Sequence, residues 1–154
     1  MRISLTIIPM KRTHIEACND IVAVSEPWKT LREKIDFEQA ITRKQAYTCI
    51  RREGVMPEVA GFIVFTAEPV FARGGYLRAI GVATSLRNHG IGSKLMAFAE
   101  KTVSRHAAYL YLCVSSFNRK GQAFYKNSGY TRVGTLPGLV TPAASEYIYW
   151  KRLK

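Results

Sequence analysis

Between Leu77 and Leu95 the chain reads Leu-Arg-Ala-Ile-Gly-Val-Ala-Thr-Ser-Leu-Arg-Asn-His-Gly-Ile-Gly-Ser-Lys-Leu. This segment constrains the fold more than any other. The apolar stretch Tyr76 to Ala83 predicts a strand, and Gly90 and Gly92 predict a turn. Ile91, Leu95, Phe98 (or Ala99) and Thr102 or Val103 then recur at helical spacing, which predicts a helix to about Arg105. A helix that starts beside glycines has uncapped N–H groups and the positive end of its dipole pointing outward, which suits a phosphate. Lys101, Arg105 and His106 fall at its other end, where cations suit the dipole.

Three readings compete for such a loop, and spacing speaks against two of them. A dinucleotide fingerprint needs a third glycine where Leu95 stands, and an acidic residue about 20 positions later to hold a ribose. A Walker loop needs Gly-Lys-Ser/Thr after wider spacing, whereas this chain has Gly92-Ser93-Lys94. A helix start without a ligand stays open on these residues alone.

Of the 154 residues, 47% are hydrophobic and 22% charged, a soluble globular balance and enough chain for one core-forming domain over 1–154. No apolar run reaches the roughly 20 residues of a membrane span, and the start lacks a secretory cleavage pattern. Cys18, Cys49 and Cys113 are odd in number and far apart, as in a reduced, cytoplasmic protein. His14, His89 and His106 are too scattered for a metal site, so none is expected. The net charge of +12 favours anionic partners. Basic residues do not cluster with aromatics and no helix-turn-helix or zinc pattern appears, which speaks against a nucleic-acid-binding module.

Along the chain, Ile3 to Ile8 predicts a strand, and Thr13 an N-cap for a helix through about Val24. Glu26-Pro27-Trp28 breaks it and puts Trp28 on a connection before a second helix, roughly Thr30 to Thr42. Gln45 to Arg52 and Glu58 to Glu68 read as a hairpin, and Arg73-Gly74-Gly75 as the turn into the next strand. Ala108 to Ser115 is a strand, Asn118 caps a helix ending at Gly129, and Tyr130 to Leu136 and Glu146 to Leu153 close the series. The order β-α-α-β-β-β-α-β-α-β-β implies a mixed sheet with helices on its faces.

Arg87, Gly90 and Gly92 match Gln/Arg-x-x-Gly-x-Gly/Ala, and Asn118 to Tyr130 matches Asn-x-x-small-x-x-hydrophobic-Tyr-x-x-x-Gly-Phe/Tyr. With these two elements in register, the chain resembles the GNAT N-acetyltransferase superfamily. The resemblance implies an α/β (α+β) fold with a mostly antiparallel central sheet, splayed middle strands and helices on both faces. It implies acetyl-CoA as co-substrate, its pyrophosphate wrapped by amides of Asn88, His89, Gly90, Ile91, Gly92 and Ser93 with Arg87 adding attraction. Pantetheine would pair with Ile80, Gly81 and Val82 as an added strand does, and Asn118 would hold its arm.

By the same resemblance, a backbone N–H of Ile80 to Val82 polarises the thioester carbonyl, and Tyr125 is the general acid. The acceptor is a primary amine of a small molecule or peptide, including a protein N-terminus, with Trp28, Phe37, Tyr76 and Glu146 lining its pocket. The chain departs from its better-known relatives at the base. Histone-type members carry glutamate where Tyr76 stands, and ribosomal-protein-type members carry it where Cys113 stands. The base is unassigned: ordered water, Glu26, Glu68 and Glu146 remain open, as does the fraction of amine already neutral at physiological pH. A homodimer built through the last strands is a further open point. A non-catalytic acyl-CoA-binding relative is the alternative of another class.

Overall fold

The computed structural model describes residues 2–154. The β-branched and alternating segments form β1 (Ser4–Pro9), then, after the helices α1 (Ile15–Ala23), α2 (Trp28–Leu31) and α3 (Phe37–Thr42), the strands β2 (Ala46–Arg52), β3 (Pro57–Phe71) and β4 (Gly74–Val82). The glycine loop leads into α4 (Ile91–Val103), followed by β5 (Tyr109–Ser115), α5 (Arg119–Asn127), β6 (Thr131–Pro137) and β7 (Ser145–Arg152). All seven strands join one sheet in the order β1-β2-β3-β4-β5-β7-β6. Every neighbouring pair is antiparallel except β4 with β5. No helix among the described residues is long and apolar enough to cross a membrane.

Helices cover both faces. On one, Ile91, Leu95, Met96, Ala99 and Val103 of α4 pack on Phe65, Leu77, Leu110 and Leu112, with Phe124 and Tyr125 of α5 beside them. On the other, Cys18, Ile21 and Val22 of α1 and Phe37 and Ala40 of α3 pack on Phe62, Val64 and Ala79. Phe37 meets Phe62 edge-to-face at 5.0 Å. Truncating such a buried aromatic to alanine costs about 3–5 kcal/mol.

Four local expectations are corrected. The helix read over Thr30 to Thr42 is two short helices, because Arg32 takes a left-handed φ of 54° and ends α2, and Asp36 caps α3 through the Gln39 N–H. Trp28 opens α2 rather than lying on a connection. Thr13 caps nothing: it lies in a 3-10 turn, Arg12–His14, that runs into α1. The turn before β4 is Ala72-Arg73, both at positive φ, since Phe71 pairs with Gly74. Gly74 and Gly75 are strand residues kept small by their neighbours. A Cβ on Gly74 would lie 2.3 Å from the Tyr111 ring, and one on Gly75 would lie 2.6 Å from the Thr66 carbonyl.

Candidate active site

The middle of the sheet opens. β4 pairs with β5 only from Gly74–Tyr109 to Leu77–Leu112, while its other edge stays on β3 as far as Val82. Phe65 faces Leu77 and Val64 faces Ala79, so Arg78 is an extra residue, a β-bulge, where the β4–β5 pairing stops. A bulge bends and twists its strand. Past it, β4 leaves β5, which continues to Ser115 against β7.

The free edge of β4 has a definite polarity. Ala83 N–H donates to Ala60 C=O. Strand alternation therefore turns Gly81 toward β3 and aims the N–H groups of Ile80 and Val82 into the gap. The Val82 carbonyl on that edge accepts from Arg87 Nε at 3.2 Å. Ile80 N–H, Ile80 C=O and Val82 N–H are left to pair with an amide-bearing chain laid in the gap.

The glycine loop arrives at the same point. Asn88 and Gly90 are both left-handed, with φ of 63° and 80°. Gly90 has open space where a Cβ would go, so this backbone conformation, not crowding, selects glycine there. The first backbone bond of α4 is Lys94 N–H to Gly90 C=O, and no side chain caps the helix. The N–H groups of Asn88, His89, Gly90, Ile91, Gly92 and Ser93 thus have no protein acceptor among the described residues. They form a fan at the positive end of a 13-residue helix. Bare amides beside an amide-pairing strand edge fit a pyrophosphate joined to a pantetheine arm. Gly92 is kept small by its neighbours: a Cβ there would lie 3.2 Å from the Phe124 ring and 3.9 Å from Val82.

The side chains expected at the cofactor divide by role. Arg87 does not point at the loop amides; its Nη2 donates to Ser25 Oγ at 2.7 Å and fastens the loop to the end of α1. His89 folds back, with Nδ1 2.7 Å from the Arg87 carbonyl. Asn118 caps α5, its Oδ1 accepting from Gly121 N–H at 3.0 Å, which leaves its Nδ2 free to donate. Tyr125 packs between Phe124 and Tyr130, at 5.3 and 6.1 Å, and burial raises its pKa, so the hydroxyl holds its proton at neutral pH.

The expected acceptor residues separate as well. Phe37 lines nothing: at 2% exposure it is a core residue, corrected from the pocket role its aromatic character suggests. Trp28 is half-buried against Phe62 at 6.0 Å. Tyr76 and Glu146 do come together. Tyr76 of β4 reaches the Cys113 thiol of β5, and burial first, with Cys113 and Glu146 adding, raises the Tyr76 pKa. Glu146 of β7 lies across from Ser115 of β5 and is 9% exposed. Ser115, beside Glu146, and Ser25, beside Arg87, are neighbours of the expected site residues that spacing did not flag. Each acts through a cross-strand or cross-helix neighbour that only the folded chain supplies.

The family model described as "Acetyltransferase (GNAT) family" matches residues 12–130. Among solved structures, nourseothricin acetyltransferase aligns with a TM-score of 0.62 and 23% identity over 71% of this chain. That alignment spans 66% of the enzyme, just under two thirds of its length. Ard1 from Thermoplasma volcanium aligns with a TM-score of 0.77 and 21% identity, covering 96% of this chain and 97% of its own. Aminoglycoside 6'-N-acetyltransferase complexed with coenzyme A gives 0.73 and 19%, covering 97% of each. No curated protein sequence matches. The structural likenesses show a shared fold, and the match over residues 12–130 shows that the chain belongs to the GNAT acetyltransferase family.

Proposed function

We propose that the protein is an acetyl-CoA-dependent N-acetyltransferase that moves the acetyl group to a primary amine of a small molecule or peptide by direct attack in a ternary complex. The observation that carries this reading is the meeting of the bare amides 88–93 with the free β4 edge at Ile80 and Val82. The loop amides would take the pyrophosphate, the strand edge and Asn118 Nδ2 the pantetheine arm.

On attack, the amine nitrogen forms the C–N bond while the C–S bond breaks. An N–H on the free edge would hold the oxyanion, where one such donor is worth about 3–4 kcal/mol. Tyr125 would deliver a proton to the leaving sulfur.

Thiol release from acetyl-CoA over a panel of small-molecule and peptide amines, with calorimetry of acetyl-CoA binding, tests the proposal. No binding at millimolar acetyl-CoA refutes it. Tyr125→Phe should keep the cofactor Kd and lose turnover by about a hundredfold. A protein that binds acetyl-CoA but releases no thiol with any amine is a sensor instead, and one whose main affinity is for nucleic acid should lose it steeply with salt.

A further inference from the structure

Acetyl transfer to an amine that arrives charged needs a proton acceptor, and besides ordered water three carboxylates stood open for it. The structure occupies two of them elsewhere. Glu68 pairs with His106 at 3.0 Å on the surface. Glu26 accepts from Thr30 N–H at 3.3 Å and Thr30 Oγ1 at 2.7 Å, in exposed bonds.

Glu146 differs in place and surroundings. It is buried, and in the β5–β7 register it faces Ser115, whose hydroxyl is fully buried and has no partner of hydrogen-bonding geometry. Alternation puts Cys113, Ser115 and Glu146 on one sheet face. Tyr76 reaches that face from β4, one residue before the β4–β5 pairing ends at Leu77–Leu112. The group therefore sits at the mouth of the splay.

We propose that Glu146 takes the proton from the attacking amine, supported by the Ser115 hydroxyl, so that the acceptor enters as an ammonium ion. This rests on the acetyl-transfer reading above. One ammonium proton goes to the Glu146 carboxylate and on to solvent. The freed lone pair forms the C–N bond, the C–S bond breaks, and the nitrogen's second proton balances the one delivered to sulfur. Glu146 is neighboured by Tyr76 from β4, Cys113 and Ser115 from β5, and Glu33 from the α2–α3 connection, while Arg78 of β4 acts on Tyr76. Burial, and to a lesser degree Glu33, raises its pKa, while Ser115 pulls it down. A carboxylate raised in this way is a better match to a proton held by an amine.

The test is the pH dependence of kcat/KM for the amine that the panel turns over best, in the unsubstituted protein, Glu146→Gln and Ser115→Ala. Glu146→Gln should lower kcat by about a hundredfold or more and abolish the acidic limb, with acetyl-CoA affinity unchanged. Ser115→Ala removes the group that lowers the Glu146 pKa, so the acidic limb should move to higher pH. Glu146→Gln within about threefold of the unsubstituted rate and with the limb intact overturns the assignment while leaving the transfer reading standing. If Glu146→Gln does not fold, Glu146→Asp decides: withdrawing the carboxylate should lower kcat and shift the acidic limb, and an unsubstituted rate with the limb in place overturns the assignment. An unsubstituted protein that binds no acetyl-CoA overturns both.

Discussion

Arg87 separates two ways in which a cation can serve a phosphate loop. As a charge, it would act on the phosphate directly; as a fastener, it would hold the loop in shape. The structure gives it two intrachain acceptors, the Val82 carbonyl at 3.2 Å and Ser25 Oγ at 2.7 Å, and Ser25 in turn donates to the Ile21 carbonyl. A hydrogen bond from a charged donor contributes about 1.5–3 kcal/mol when enclosed and less in water. One of these bonds is half-buried and the other exposed, so Arg87→Ala should cost about 2 kcal/mol of loop order. Each 1.4 kcal/mol removed from the competent loop raises the apparent Kd by up to about tenfold. Arg87→Gln keeps an N–H donor for one acceptor and should lose about half as much. Calorimetric acetyl-CoA affinities of both variants at low and high salt are the assay. A fastener predicts that glutamine is milder than alanine and that the gap persists in salt. Equal losses that both vanish at high salt would refute the fastening role, because salt screens an exposed charge but not a hydrogen-bonded brace.

Two further expectations concern stability. Gly81→Ala would place its Cβ 2.6 Å from Phe62 and 2.9 Å from Ile21, both in the core, so it should destabilise by about 1–3 kcal/mol; a urea midpoint that does not move would refute this. His14 Nδ1 accepts from Lys11 N–H at 3.1 Å and lies 3.1 Å from buried Thr48 Oγ1, and burial first, then Lys11, lowers its pKa. The unfolded chain therefore binds the proton first: this contribution is complete above about pH 6.5 and is lost as pH falls through that value toward the lowered one. His14→Gln should flatten the pH dependence of thermal unfolding there, and an unchanged slope would exclude His14 as its source.

The glycine loop and the α5 cap were legible because their signals are local. Gly90 and Asn118 are selected by backbone geometry within a few residues, whereas Gly92 is kept small by the Phe124 ring from α5. The acceptor half depends on pairings between distant segments. Whether Phe37 fills a core or a pocket turns on the face that α3 presents to β3, and sequence offers two aromatic candidates with no way to rank them. The break at Arg32 has no sequence mark, since arginine does not favour positive φ; packing of Trp28 and Phe37 on Phe62 imposes it. Gly74 and Gly75 look like a turn because that is the commoner reason for two glycines. Here they make room for the Tyr111 ring and the Thr66 carbonyl, contacts that exist only once β3 and β5 flank β4.

The gap itself follows from the same kind of long-range term. A strand edge facing the interior normally pairs, because a buried N–H without a partner costs about 1–3 kcal/mol. On β4 that pairing stops at Leu77 because Arg78 bulges against β3, while β5 is held straight by β7 through Ser115. Two strands obeying different neighbours cannot stay in register with each other. The amides of Ile80 and Val82 are thus left open by the sheet's own constraints rather than by local sequence. Their half-buried positions keep water from replacing a partner fully. A ligand with amides of its own would recover that deficit on binding, so the same distortion that weakens the empty sheet would supply affinity.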